Sequence, residues 1–427
     1  MRRAGTVPPR GLRNIAGRAG AALVDQALSS GAQLLLLVLV ARRADATTFG
    51  ALAVALIVHG FLLGVVRAAI GQVVLLRCRA EPSARRSEAC LGLFLALLAG
   101  AVAALGLLGA SVAVGGEVGH FLLLIALAAP FVYAQDLVRY VAYSAGRLGQ
   151  AILVDGIWLG VQVAVSALLL AAGEASPTRL IVAWVTGAGA GAVVGVLAQR
   201  LSPHRVVLGR WWTEERARAA GFLGDFLMSA GITQGSFILL SVLLPLDEFA
   251  ALRVAIVALS PLANVMAGVR ILTLAHLGGL RDRPAQAYRW AEHMGLGLAG
   301  AAAAYGIGLV LLPERWGSEA FGTTWAEAST LVGIVAVGEV LRLGTFAAID
   351  FVKVLGAPMD LVRTRVVTGV GGVTGLLLGA TVAGPRGAAV GGALGAALMT
   401  IVWWRQARIV RRRRPSASKA DFGDGIG

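Results

Sequence analysis

Apolar runs long enough to cross a bilayer follow one another along nearly the whole chain, and they constrain its fold more than any motif does. A spanning helix needs roughly 20 apolar residues. The sequence supplies twelve such runs, at 21–41, 49–76, 90–114, 121–144, 151–172, 180–198, 221–244, 250–275, 295–312, 325–349, 361–383 and 388–404. Residues are 57% hydrophobic and only 14% charged, with a mean hydropathy of +0.78, so water is not the main solvent. The 57 glycines suit membrane helices, which approach closely where side chains are small. At this glycine content an individual spacing such as Gly187 to Gly191 carries little information. Cys78 and Cys90 fit neither a metal quartet nor a disulfide framework.

The net charge of +15 falls in short clusters between apolar runs rather than on one soluble surface, which argues against nucleic acid as a partner. Topology accounts for it better, because Lys and Arg concentrate in cytoplasmic loops. The cytoplasmic set is Arg2, Arg3, Arg10, Arg13 and Arg18; Arg77, Arg79, Arg85 and Arg86; Arg147; Arg200, Arg205, Arg210, Arg216 and Arg218; Arg281, Arg283 and Arg289; Lys353, Arg363 and Arg365; and the tail from Arg405 to Lys419. Opposite loops hold only Arg42, Arg43, Arg179, Arg315 and Arg386. This contrast predicts an even number of spans with both termini cytoplasmic. The first apolar run follows a basic segment without a small-residue cleavage site, so it is expected to stay in the mature protein. Trp211, Trp212, Trp403 and Trp404 fall at predicted interfaces and read as aromatic-belt residues.

A shift of about two hundred residues superposes the two halves. Leu23, Asp25, Ser29 and Gly31 fall on Leu223, Asp225, Ser229 and Gly231; Phe49, Ala51, Leu52, Val54 and Ala55 fall on Phe249, Ala251, Leu252, Val254 and Ala255. A similar shift lays Asp136 and Arg139 over Glu339 and Arg342. Six helices per half give both halves the same orientation, as in transporters built about an axis along the membrane normal. The expected architecture is therefore an all-α integral membrane protein with twelve transmembrane helices in two pseudo-symmetric six-helix lobes. Its parts are a cytoplasmic basic N-terminal segment (1–18), an N-lobe (19–199), a cytoplasmic linker (200–218), a C-lobe (219–410) and a disordered basic cytoplasmic tail (411–427).

Two stretches then carry a specific resemblance. The run Leu23-Val24-Asp25-Gln26-Ala27-Leu28-Ser29-Ser30-Gly31, with Ala41-Arg42-Arg43-Ala44-Asp45-Ala46-Thr47-Thr48-Phe49-Gly50, resembles the opening helix pair of Wzx-like polysaccharide exporters. The stretch Gln135-Asp136-Leu137-Val138-Arg139-Tyr140, followed by Gly146-Arg147, Asp155 and Trp158, does so too. These exporters belong to the multidrug/oligosaccharidyl-lipid/polysaccharide flippase superfamily, and the resemblance runs from about Arg18 to Arg408. It implies two six-helix lobes, alternating access between them and a lipid-linked saccharide as cargo at a bacterial inner (cytoplasmic) membrane. Lipid II flippases of the superfamily usually carry two further helices, for which this chain has no room.

Charges inside the spans are the candidate functional residues, since an arginine at the bilayer centre costs roughly 2.5 to 3.5 kcal/mol even on the lenient insertion scale. Arg67 and Arg270 lie in the second and eighth runs, one helical turn apart after the shift, and with Arg253 could clamp a pyrophosphate head group. The competing account is that each snorkels or pairs with an acid. Asp136 with Arg139, and Glu339 with Arg342, are one turn apart and read as internal ion pairs or gate elements; Asp155 could join a gate. Asp25 and Asp225 sit near predicted helix starts, where a carboxylate favours the N-terminus, or bind a coupling sodium ion or proton. His59 reads as a packed polar residue rather than a relay, and Pro130 and Pro261 as kinks.

No Walker loop, zinc pattern or catalytic triad occurs, and the external connections are short, so the chain is expected not to be an enzyme. No cofactor or metal is expected; energy would come from a sodium, proton or electrical gradient. Expected partners are a lipid-linked saccharide, membrane lipids and polysaccharide-synthesis proteins. The leading reading is a flippase for a lipid-linked oligosaccharide or exopolysaccharide precursor. The alternatives are a cation-coupled multidrug exporter and a non-transporting scaffold of a polysaccharide-synthesis complex.

Overall fold

The computed structural model describes residues 9–80, 85–203 and 208–413, and their side chains apart from those of 9–19, 21–23, 79–80, 208, 210, 263–268, 270–272, 274–275 and 358. Residues 1–8 and 414–427, parts of the expected terminal segments, lie outside this description.

The described residues form helices in sequence order: α1 (Pro9–Ala41), α2 (Ala46–Val66), α3 (Gln72–Ala80), α4 (Arg85–Val114), α5 (Gly116–Ser144), α6 (Leu148–Ala171), α7 (Pro177–Ala198), α8 (Leu208–Phe226), α9 (Ile232–Leu243), α10 (Leu246–Gly279), α11 (Pro284–Val310), α12 (Glu314–Phe321), α13 (Trp325–Leu355) and α14 (Pro358–Arg413). A π-helical turn at Arg67–Gly71 joins α2 to α3, and another at Leu227–Gly231 joins α8 to α9, so each pair runs on as one span. Among the described residues, ten stretches are long and apolar enough to cross a membrane. The last of them, Met359–Arg413, folds back on itself where Ala383 and Gly384 leave helical geometry. With α10, of 34 residues, the twelve expected crossings are present. Gly384 turns at φ +57°, a conformation open to residues without a Cβ.

Small residues decide how the helices close on one another. In the α14 hairpin, a Cβ on Gly375 would lie 2.8 Å from the Gly391 carbonyl oxygen, and one on Gly395 would lie 2.7 Å from the Gly372 Cα. On α7, a Cβ on Gly187 would lie 2.5 Å from the Trp158 carbonyl and one on Gly191 2.9 Å from that of Val154. The spacing set aside as uninformative is therefore the seam between α6 and α7, closed by a hydrogen bond from Trp158 Nε1 to the Trp184 carbonyl at 3.0 Å. Gly100 of α4 meets Pro130 of α5 in the same manner, with a Cβ falling 2.6 Å from the proline Cα.

Contacts divide the chain into Met1–Gly231 and Ile232–Gly427. The division falls inside the seventh span, not in the expected linker at 200–218. The cause is the packing of α8 on the first unit. Trp211 is buried among Val73, Leu91, Leu95 and Ala219. Arg77 of α3 donates through Nη1 to Glu214 at 3.0 Å and Glu215 at 2.9 Å, and through Nη2 to Glu88 of α4 at 2.8 Å. Arg218 closes the cluster on Glu215 at 2.7 Å. Trp211 is thus a packed residue rather than part of an interfacial belt, and so is Trp403, buried with Ala291, Ala348 and Phe351 in the second unit. Trp212 is exposed. The basic segment expected to end at 18 is helical from Pro9, and α14 continues to Arg413, inside the expected tail.

Candidate functional site

The first unit is built around α5, which packs against α2, α3, α4, α6 and α7. Helical spacing puts Asp136, Arg139, Tyr140 and Tyr143 of α5 on one side, since residues three and four apart are neighbours. Three other elements deliver charges to this side: Asp25 and Ser29 from α1, Asp155 from α6, and Arg67 from the first position of the π-turn after α2.

Arg139 is the hub. Its Nη2 donates to Asp25 Oδ2 at 2.9 Å and to the Tyr143 hydroxyl at 3.2 Å. Its Nη1 reaches Ser29 Oγ at 3.3 Å and Asp136 Oδ1 at 3.4 Å. Its Nε lies 3.2 Å from Asp155 Oδ2, an ion pair without hydrogen-bond alignment. The Tyr143 hydroxyl also donates to Asp25 Oδ2, and Gln135 Nε2 donates to Asp155 Oδ1 at 2.6 Å. Asp136 receives Arg67 as a fork, Nε to Oδ2 at 2.9 Å and Nη2 to Oδ1 at 2.7 Å.

Side-chain exposure is 7% for Arg139, 1% for Asp25 and 0% for Asp155. Charges taken this far from water persist only when paired and hydrogen-bonded. Three carboxylates, Asp25, Asp136 and Asp155, face two guanidinium groups, Arg67 and Arg139, and Asp25 Oδ1 has no hydrogen-bond partner among the described residues. Counted with every carboxyl ionised, the network sums to one negative charge.

Several expectations change on this geometry. Asp25 is interior to α1, which begins at Pro9, so a helix N-terminus does not account for it; burial beside Arg139 does. Asp225, its counterpart in the repeat, lies on α8 in the first unit and is exposed. Asp155 sits inside the network with Asp136 and Arg139. Arg67 is not a free clamp, because Asp136 holds two of its nitrogens, yet its side chain is 40% exposed. In the second unit, Arg342 pairs with Glu339. Arg253 has no carboxylate partner among the described residues, its Nε has no hydrogen-bond acceptor, and its guanidinium carbon stands 5.4 Å from the Phe237 ring centre. Arg270 lies on α10, and its side chain is outside the described residues. His59 is packed between Tyr133 and Trp184, with ring centres 5.9 and 5.8 Å away.

Sequence reasoning did not find Gln135, Tyr143 or the Arg77 cluster as functional partners. Tyr143 was marked by its four-residue spacing from Arg139. Arg77 was absorbed into the topology argument, and its partners Glu214 and Glu215 lie too far along the chain for spacing to reveal. Among the described residues no cluster of three or more His, Cys, Asp or Glu side chains could hold a metal ion.

No protein-family model and no curated protein sequence matches the chain. Solved structures do. An inward-facing multidrug resistance MATE transporter of the MOP superfamily superposes with a TM-score of 0.69 at 14% identity, over 92% of this chain and 96% of that one. The lipid II flippase MurJ, in an inward closed conformation, gives 0.70 at 9% identity, over 93% and 90%. The chain has the fold of these transporters. A mutant of the Vibrio cholerae MATE transporter VcmN gives 0.63 at 12% identity over 94% and 96%. These likenesses span nearly all of every chain compared, and at such identities they are likenesses of fold.

Proposed function

We propose that the chain is a transporter, an alternating-access flippase that moves a lipid-linked oligosaccharide or exopolysaccharide precursor from the cytoplasmic to the outer leaflet of a bacterial inner membrane. The fold it shares with a lipid II flippase and with multidrug transporters supports transport as the activity. Arg253 carries the choice of cargo. An arginine without a carboxylate costs roughly 2.5 to 3.5 kcal/mol at the bilayer centre and less nearer its surface; a cationic drug would raise that cost where a pyrophosphate would offset it. A guanidinium offers a planar fork to two phosphate oxygens. Arg67 supports the same reading: Asp136 holds its Nε and Nη2, and among the described residues nothing takes its Nη1. Arg270 would complete the set.

The excess carboxylate of the α5 network favours a gradient of sodium ions or protons as the energy source. Membrane lipids and proteins that assemble the saccharide are the partners this reading implies. Cation-coupled export of drugs is the competing function, since the same fold serves it in the MATE transporters.

The test uses the purified chain in proteoliposomes, with a fluorescent lipid-linked oligosaccharide in one arm and a cationic dye in the other. Translocation of the lipid-linked saccharide, slowed at least tenfold by Arg253→Gln with the protein still folded, is the expected outcome. Dye export without saccharide translocation would assign the drug-exporter function instead.

A further inference from the structure

Beyond the hairpin turn at Gly384, the second arm of α14 runs from Pro385 to Arg413. Every exposed residue from 391 to 412 falls on one stripe of this arm: Leu394, Leu398 and Ile401, then Arg405, Arg408 and Arg412. Steps of three and four residues keep all six on one face of the helix. The opposite face is packed, with Trp403, Ala407 and Val410 buried among residues of α11 and α13. The stripe is apolar as far as Ile401 and cationic from Arg405 onward.

That change of character falls at the depth where a bilayer changes too. Arg405 stands about 31 Å past the turn, at about 1.5 Å per residue, and the hydrocarbon core of a bilayer is roughly 30 Å thick. Leu394, Leu398 and Ile401 therefore run along acyl chains, while the three arginines enter the head-group layer over the next two turns. None of the three has an ion-pair partner among the described residues. The neighbouring arginines off the stripe are both engaged. Arg413 pairs with Asp360 at 3.2 Å, and the guanidinium carbon of Arg411 stands 4.4 Å from the Tyr288 ring centre.

Charge complementarity names the occupant. Positive charge that only orients a span can sit on any face of its helix, whereas here it continues the line of the apolar side chains. An anionic lipid carries its phosphate and its hydrocarbon in the same order and at the same depths. A guanidinium takes two phosphate oxygens in a planar fork, and basic residues beside a span attract anionic head groups. A zwitterionic lipid would set its own cation against the arginines, and free phosphate would leave the apolar half of the stripe unused. We propose that this face of α14 is a binding site for an anionic glycerophospholipid, with its phosphate on Arg405 and Arg408, Arg412 above them, and its acyl chains along Leu394, Leu398 and Ile401. The site lies wholly within the second unit and does not depend on the cargo assigned above.

The test places the full chain in phosphatidylcholine nanodiscs with a trace of lipid bearing a photoreactive diazirine on one acyl chain. The tracer is phosphatidylglycerol in one arm and phosphatidylcholine in the other, and labelled peptides are mapped by mass spectrometry. Phosphatidylglycerol is expected to label 394–404 at least fivefold more than phosphatidylcholine does. The paired substitutions Arg405→Gln and Arg408→Gln remove that preference and leave labelling unchanged at 102–112 of α4, where Val102, Leu105 and Val112 are also exposed. Equal labelling by the two lipids would reduce the arginines to a topology signal and overturn the proposal. A preference that survives the paired substitutions would overturn it as well, as would inorganic phosphate that competes as effectively as unlabelled phosphatidylglycerol. If the paired variant does not insert, Arg408→Gln alone decides the matter. It should at least halve the preference, while Arg386→Gln, at the other end of the same arm, leaves it intact; equal effects of the two would sink the assignment.

Discussion

Arg139 shows what a single residue does in a bilayer-spanning fold. Its guanidinium lies against three carboxylates from three helices, so replacing it leaves buried negative charges with no counter-ion. Arg139→Leu is expected to destabilise the protein by about 3 to 5 kcal/mol, the range for breaking a buried ion pair from one side. Asp155→Asn should cost less than roughly half of that, because the network has a carboxylate to spare and the amide still accepts from Gln135. Unfolding of both variants in the same detergent measures the contrast, and equal losses would show that the network is not acidic in excess. The acidic-x-x-Arg pattern was legible as a pair, since its spacing is local. That Asp136 also holds Arg67 was not, because residues 69 apart meet only through the packing of α2 on α5.

The helices were legible from their apolar runs, and their junctions were not. No periodicity announces that α8 is clamped to the first unit, since the clamp depends on where Arg77 finds Glu88, Glu214 and Glu215. Arg77→Ala should leave the unit folded and loosen α8, with amide exchange across 211–226 rising at least tenfold by mass spectrometry. An unchanged exchange rate would assign the docking to Trp211 alone. The α14 hairpin is the opposite case, since its glycines were visible and their meaning was not. Composition alone makes Gly-x-x-x-Gly frequent, and only the backbone contact of Gly375 with Gly391 separates a seam from chance. Gly391→Val should cost about 1 to 3 kcal/mol or more, as overpacking does, read from thermal unfolding.

Across the whole molecule, the span count and the internal repeat anticipated a fold that structural neighbours match over more than nine-tenths of the chain. The repeat overstated the likeness of the two units. The first concentrates five interacting charges around α5, whereas the second holds the Glu339 and Arg342 pair, a buried Asp350 and an Arg253 without a carboxylate partner among the described residues. Under the proposed transport function, the carboxylates of the first unit are the candidates for energy coupling. Saccharide translocation should slow at least tenfold when the sodium or proton gradient is collapsed, and Asp155→Asn should abolish that dependence. Transport indifferent to both gradients would remove the α5 network from the energy-coupling step.

The crossing of Gly372 and Gly395 leaves its own signature. A methyl group on Gly395 would run into the Cα of Gly372, whereas one on Gly372 meets nothing within 4 Å. Two glycines facing each other across the same turn should therefore part company in a saturation library, with alanine purged at 395 and passing unnoticed at 372.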